Sequence, residues 1–325
     1  MTPSMEQRTL GDGGPKVSII GLGTAALGRP LYINETHCED LAGAADPESL
    51  EARAGEVFDA ALAGGVTYFD TARSYGLGER FLGHWLGRLG ASDRVSVGSK
   101  WGYTYVADWD PDATTHEVKN HSHTALRRQL GETRAELCDH LGIYQIHSVT
   151  PDSPVLDDGA VIAALGELRA TGVRVGLTTS GPDQADVIRR ALKVEANGTP
   201  LFSTVQATWN LLERSAGPAL AEAHDAGLGV IVKEALANGR LAGAGDRADV
   251  AHLTGWPPDA VALAAAASQP WADVVLSGAA TVEHLQSNLL ATKVMLDGDP
   301  TLALGGDAPI EPERYWAERS QRPWT

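Results

Sequence analysis

Four side chains in this sequence have the types and the spacing to move a proton to or from an oxygen: Asp70, Tyr75, Lys100 and His147. The first two lie in VTYFDTARSYGLGERFLG (66–83), where a carboxylate closes an extended run and a phenol follows five residues on in a glycine-flanked turn. A free phenol titrates near about 10, too high to help much at neutral pH. A neighbouring ammonium, Lys100, is expected to stabilise the phenolate and lower that value. The Asp70 carboxylate keeps the lysine charged and in place, and the His147 imidazole holds a substrate oxygen by hydrogen bond. Nothing in the set is a good nucleophile or a metal cage. It reads as a proton donor aimed at a carbonyl oxygen, for carbonyl reduction or its reverse, and it needs a hydride source. Taken singly, each residue has a plainer reading. A strand-end Asp is a helix cap, a lone Lys is solvated, a lone His is structural and a Tyr packs. The joint pattern carries the chemistry.

Such a set works only if separate elements bring it together, and the hydrophobic pattern supplies them. Strand-like runs at 17–24, 66–72, 95–102, 140–147, 173–180, 202–208, 229–236 and 273–279 alternate with helical periods around 48–64, 79–89, 121–138, 157–171, 183–194, 216–226, 257–268 and 281–294. Strict alternation calls for parallel strands joined by right-handed crossovers. Eight units in one chain point to a single-domain α/β fold over 1–325, a (β/α)8 TIM barrel. An open doubly wound sheet is the alternative. Residues about 1–15 are expected to form a hairpin across the barrel bottom, turning at Gly11-Asp12-Gly13-Gly14, and about 300–325 a tail with one short helix at most. In such barrels the active site lies at the C-terminal ends of the strands. The second, third and fourth strands end in Asp70, Lys100 and His147.

The bulk numbers agree with an enzyme acting on a small molecule. The 325 residues are 43% hydrophobic and 21% charged, enough for one barrel of about 250 residues or two ordinary domains. A net charge of −16 argues against nucleic-acid and anionic-membrane partners. No apolar run approaches the about 18 residues of a spanning helix, and the first residues lack the apolar core of a signal peptide. Cys38 and Cys138 make no disulfide framework, and a cytoplasmic location is expected. One motif points elsewhere: Gly21-x-Gly23-x-x-Ala26 is a form of the dinucleotide fingerprint. Its context fails, because Leu27-Gly28-Arg29-Pro30 breaks the helix it requires and no acid-ended second strand follows.

With these residues in hand, the sequence resembles the aldo-keto reductase superfamily. The matching stretches are IIGLGTAALG (19–28), FDTARSYGLGERFLG (69–83), VGSKWG (97–102), IYQIH (143–147), LRATGVRVGLTTSG (168–181), VQATWNLLER (205–214), VKEALANGRL (232–241) and LSGAATVEHLQSNLLA (276–291). The resemblance implies a barrel that reduces an aldehyde or ketone with NAD(P)H. Tyr75 is then the general acid, tuned by Asp70 and Lys100, with His147 orienting the carbonyl. It places the cofactor on Gly23, Thr24, Asp70, Thr178, Thr179, Gln206, Lys233, Leu236, Asn238 and Gly239, and the adenine end on Gly278, Ala279, Thr281, His284, Ser287 and Asn288. Thr179 stands where relatives carry Asn, and Lys233 where many stack an aromatic ring. NADPH is the family's commoner cofactor. NADH stays possible, because no Lys or Arg lies between Arg247 and Lys293 to grip a 2′-phosphate. Arg240 and Arg247, in the preceding loop, are the alternative basic groups.

The long loops 25–47, 101–120 and 237–256 should set specificity for a small carbonyl or alcohol substrate. Trp101, Tyr103, Tyr105, Trp109, Trp209 and Trp316 are candidates for an aromatic wall beside Tyr75 and His147. Asp108, Asp110 and Asp112 weigh against a strongly anionic substrate. Two further readings stand beside this one: an NAD-dependent sugar or alcohol dehydrogenase, and a cofactor-binding regulatory subunit. No oligomeric state is assigned.

Overall fold

Strands that alternate with helices must run parallel, and the computed structural model closes them into a barrel; it describes residues 5–31, 46–90, 94–110, 113–242, 254–295 and 309–324. In chain order, strands β1 (Gln7–Thr9) and β2 (Lys16–Ser18) form an antiparallel hairpin, and β3 (Ile20–Gly23) begins the barrel. Helix α1 (Pro47–Ala63) follows, then β4 (Tyr68–Asp70), α2 (Gly78–Leu89) and β5 (Ser96–Trp101). A small antiparallel pair, β6 (Tyr103–Tyr105) and β7 (Glu117–Lys119), stands on the next loop. The chain continues through α3 (His123–Leu137), β8 (Leu141–Val149), α4 (Gly159–Ala170), β9 (Arg174–Thr179) and α5 (Gln184–Ala191). A short ribbon, β10 (Glu195–Ala196) with β11 (Thr199–Pro200), leads into β12 (Thr204–Thr208), α6 (Gly217–Asp225), β13 (Gly229–Lys233), α7 (Pro258–Ala267), β14 (Val274–Ser277) and α8 (Val282–Leu289). The tail holds α9 (Pro312–Ser320).

The barrel order is β3-β4-β5-β8-β9-β12-β13-β14, closing back on β3, with every pair parallel. The open-sheet and Rossmann alternatives fall with this closure. Local chemistry starts the helices where the sequence marks them. Asp46, Ser122, Asp158 and Thr281 each accept a backbone N–H of the first turn.

The run read as one strand over 17–24 divides. Its first residues pair in the hairpin, and only Ile20–Gly23 enter the barrel. The hairpin packs on the N-terminal ends of the strands. Leu10 is fully buried with Tyr68, Ile143, Ile231 and Val274 in the barrel interior, and Arg174 at the start of β9 donates to Leu10 O and Asp12 O at 3.2 Å. The predicted strand 229–236 stops at Lys233, where Glu234 turns to φ 55°.

The loop that carries Tyr75 is pinned by close backbone contact. Leu77 N–H donates to Gly28 O at 2.8 Å, and a Cβ on Gly28 would lie 2.1 Å from Tyr75 O and 2.5 Å from Gly78 N. Gly28→Ala is therefore expected to destabilise the fold by about 1–3 kcal/mol, as overpacking does. Gly87→Ala, in α2 with open space at its Cβ, should be neutral or stabilising by about 0.5–1 kcal/mol. Thermal denaturation of the two variants checks the pair, and equal midpoints would refute the close approach.

Candidate active site

At the C-terminal ends of the strands lies a cavity of about 810 Å³. The turn after β4 folds over the end of β5: Thr71 N–H donates to Gly98 O at 2.8 Å and Arg73 N–H to Lys100 O at 3.0 Å. This brings the four residues together. Lys100 Nζ, fully buried, pairs with Asp70 Oδ1, donates to Thr71 O at 2.9 Å and lies 3.5 Å from the Tyr75 hydroxyl. Asp70 Oδ2 accepts from Gln206 Nε2 at 3.0 Å, Tyr68 OH at 3.3 Å and Gln145 Nε2 at 3.5 Å. The Tyr75 ring meets His147 edge-on at 5.6 Å between centroids. A register break between Ile146 and Val149, with Ser148 at φ 52°, lets His147 and Ser148 both face the cavity although they are consecutive.

The electrostatics correct one expectation. Burial raises the Tyr75 pKa well above the ordinary phenol value; Asp70 and Glu117 add to the rise and Arg29 opposes it. Desolvation thus outweighs the lowering expected from Lys100, and the phenol keeps its proton at neutral pH. Burial, and then Lys100, push the His147 imidazole well below its usual value, so the ring is neutral. Its Nδ1 is buried with no hydrogen-bond partner among the described residues.

His121, missed in the sequence, braces this strand end. Its Nε2 lies 2.8 Å from His147 O and its Nδ1 2.7 Å from Ser153 Oγ. Facing a carbonyl, Nε2 is the donor, and Nδ1 accepts from the serine. Burial lowers its pKa to about 4, which keeps that arrangement fixed.

Of the residues assigned to a cofactor, Gly23, Asp70, Gln206, Lys233, Leu236, Asn238, Gly239, Gly278, Ala279, His284, Ser287 and Asn288 line the cavity. Gly278 leaves it open: an added Cβ there would meet no atom within 4 Å. A long ligand reaching from Tyr75 to Asn288 fits these donors and this bare backbone. Thr24, Thr178, Thr179 and Thr281 do not line it. Thr178 Oγ1 accepts from Ser148 N–H at 2.7 Å, Thr179 Oγ1 bonds Gln184 Oε1 at 3.3 Å, and Thr281 Oγ1 caps α8 through His284 N–H at 3.1 Å. Thr24 is fully buried, with Gly23 and Ala25 exposed to the cavity in its place. Ser180, one residue past the two threonines, lines the cavity instead.

The aromatic wall is also corrected. Trp101 and Trp209 belong to the packed core between barrel and helices, Trp209 edge-on to Trp271 at 5.7 Å. Side chains alternate along a strand, so with Lys100 facing in, Trp101 must face out, and Trp209, just past the end of β12, packs outward as well. Trp109 packs edge-on to Tyr105 at 5.7 Å, and Trp316 is buried near Tyr315; neither lines the cavity. The aromatic rings that do are Tyr75, Tyr103 and Trp324, joined by the unforeseen charges Arg29, Glu117, Glu234 and Arg319. Arg247, Asp112 and Cys38 lie outside the described residues. Cys138 is free and exposed.

Lys233 sits in a charged cluster. Its Nζ donates to Thr208 Oγ1 at 3.0 Å and lies 3.6 Å from Glu234, whose carboxylate takes two bonds from Arg319 at 2.6 and 2.8 Å. Burial lowers the Lys233 pKa to about 8 against the pull of Glu234. For Glu234 burial acts upward, but Arg319 and Lys233 together outweigh it and hold the carboxyl at about 2. Among the described residues, no group of His, Cys, Asp and Glu could hold a metal ion, and no helix is long and apolar enough to cross a membrane.

Comparison with known proteins identifies the family and the fold. The sequence model of the Aldo/keto reductase family matches residues 20–300. The chain is similar to the Uncharacterized oxidoreductase YrpG of Bacillus subtilis, 27% identical over 90% of this chain and 93% of that one. It is also similar to Protein tas of Escherichia coli, 23% identical over 87% and 92%. Among solved structures, the aldo-keto reductase AKR11C1 from Bacillus halodurans, in its holo form, superposes with a TM-score of 0.71, at 21% identity over 95% of this chain and 99% of that one.

Proposed function

The chain belongs to the Aldo/keto reductase family, which makes it an oxidoreductase of carbonyl compounds, and from that premise we propose that it is a cytoplasmic NAD(P)H-dependent reductase of an aldehyde or ketone with Tyr75 as general acid. One observation carries the reading: a protonated phenol at the rim of the cavity, 3.5 Å from a buried lysine and edge-on to a neutral histidine. When bound, the reduced nicotinamide supplies a hydride to the carbonyl carbon. The residues of this chain manage the oxygen. His147 hydrogen-bonds the carbonyl and aims it at Tyr75. The Tyr75 hydroxyl gives its proton to the oxygen as negative charge develops there. The phenolate left behind faces the Lys100 ammonium, held by Asp70, and regains its proton from solvent. Gln206, Ser180, Asn238 and Ser287 would hold the nucleotide, and the Lys233 ammonium would supply a charge for its pyrophosphate.

NADPH is the cofactor the family resemblance favours. A specific observation favours NADH. The end of the cavity assigned to the adenosine carries Glu283, and Arg240 is taken by Glu318 at 3.4 Å and the Tyr315 ring at 5.8 Å. A carboxylate accepts a bond from a ribose 2′-hydroxyl and repels a 2′-phosphate.

Titration with NADH and, separately, NADPH, followed by quenching of the eight tryptophans, tests both points. NADH is expected to bind at least tenfold tighter. Either affinity should fall as the pH rises through about 8, where Lys233 loses its charge. Binding of neither nucleotide would overturn the oxidoreductase mechanism. Tight binding without turnover of any carbonyl would instead favour a regulatory subunit.

A further inference from the structure

The cavity wall beside Tyr75 is polar and already neutralised. Arg29 reaches in from the loop after β3 with its side chain only 2% exposed, its Nη1 donating to Glu117 Oε1 at 2.7 Å and to Ser74 O at 3.0 Å. The guanidinium lies 5.4 Å from the centroid of the Tyr75 ring and 4.6 Å from that of Trp324. Trp324 is in turn stacked on His116, 4.3 Å between centroids at 8°. Glu117 keeps 18% of its side chain exposed, and it lines the cavity with Tyr103 and Trp324. Tyr103 stands edge-on to His147 at 5.2 Å, and burial raises its phenol to about 12, so it is a hydrogen-bond donor at working pH.

This wall discriminates among carbonyl compounds by simple chemistry. An apolar aldehyde would strip water from the Glu117 carboxylate and the Tyr103 hydroxyl and return nothing. A carboxylate-bearing substrate would face Glu117 as a like charge, while the nearest cation, Arg29, is engaged by that same Glu117. A neutral substrate with hydroxyl groups satisfies both: its hydroxyls donate to Glu117 and accept from Tyr103, and its C–H faces lie on the Tyr103 and Trp324 rings.

Resting on the reductase reading above, we propose that the substrate is an uncharged polyhydroxylated aldehyde, taken in its open, free-carbonyl form, whose hydroxyls are read by Glu117 and Tyr103. Arg29 is a positioning residue that fixes the Glu117 carboxylate. Sites built to bond a substrate hydroxyl reject the analogue lacking it by up to about 10,000-fold. Even partial exposure of this wall should therefore leave a large ratio.

The test compares kcat/KM for D-erythrose, butanal and succinic semialdehyde at matched chain length, in the wild type, Glu117→Gln and Tyr103→Phe. The expected result is a preference for erythrose over butanal of at least thirtyfold, cut at least fivefold by either substitution. Equal rates on erythrose and butanal, preference for the anionic aldehyde, or a ratio unmoved by both substitutions would overturn the proposal. Binding is read apart from turnover, through tryptophan fluorescence on adding erythritol or 1-butanol. Saturable binding of the polyol alone, lost in Trp324→Phe and weakened in Glu117→Gln, supports the hydroxyl-reading wall even where no aldehyde is reduced, and that absence of turnover would count against the reductase reading instead.

Discussion

Tyr75→Phe is expected to lower kcat for carbonyl reduction by about 100- to 10,000-fold, the contribution of one well-placed general acid. The change removes one oxygen and little else. The ring stays edge-on to His147, the backbone of the turn stays pinned by Gly28, and Lys100 keeps Asp70 and Thr71 O as partners. Nucleotide affinity should stay within a few-fold, because the phenol hydroxyl bonds no group that holds the nucleotide. Steady-state rates on several aldehydes, with tryptophan quenching as the binding readout, check both halves. Near-normal turnover in the variant would remove Tyr75 from the acid role and leave the protonated phenol without a function.

Lys100→Met should be the most damaging single change to fold and chemistry together. Lys100 is the buried counter-ion of Asp70, and both are almost wholly inaccessible. Without the lysine, Asp70 keeps only neutral donors: Gln206, Tyr68 and Gln145. Breaking one side of a buried ion pair costs about 3–5 kcal/mol, because the remaining charge stays out of water. The double variant Asp70→Asn/Lys100→Met removes both charges and should recover much of that stability. It should not recover turnover, because the phenolate left by proton transfer would have no ammonium beside it, a loss of about 100- to 1,000-fold. Urea denaturation of the wild type, the single and the double variant separates the two effects. A double variant no more stable than the single would show that the pair is not coupled as its geometry implies, and full activity in Lys100→Met would exclude the lysine from the mechanism.

Much of the architecture was legible because it rests on short-range rules. Alternating hydrophobic periods dictate parallel strands and helices in turn, and eight repeats suffice to close a barrel. Barrel closure sends Asp70, Lys100 and His147 to one rim, because each lies at the C-terminal end of its strand. The parity rule was equally available in the sequence, and it places Trp101 outward once Lys100 faces inward. Aromatic residues near a site draw attention by type, but their side of the strand decides whether they reach it.

The sequence by itself determined the barrel, the order of its units and the identity of the four residues at its mouth, since these follow from periodicity, turn chemistry and motif spacing along the chain. Only the tertiary structure decided the charge state and the company those residues keep. Burial, a property of the whole assembly, pushes the Tyr75 phenol up where a single neighbouring lysine argued for down. Thr178 and Thr179 turned out to be spent on Ser148 and Gln184, partners supplied by other strand ends and helices. Arg29, Glu117 and Trp324 come from three segments far apart in sequence, and no local pattern links them. Their meeting beside Tyr75 is a long-range contact, set by how the loops and the tail close over the barrel mouth.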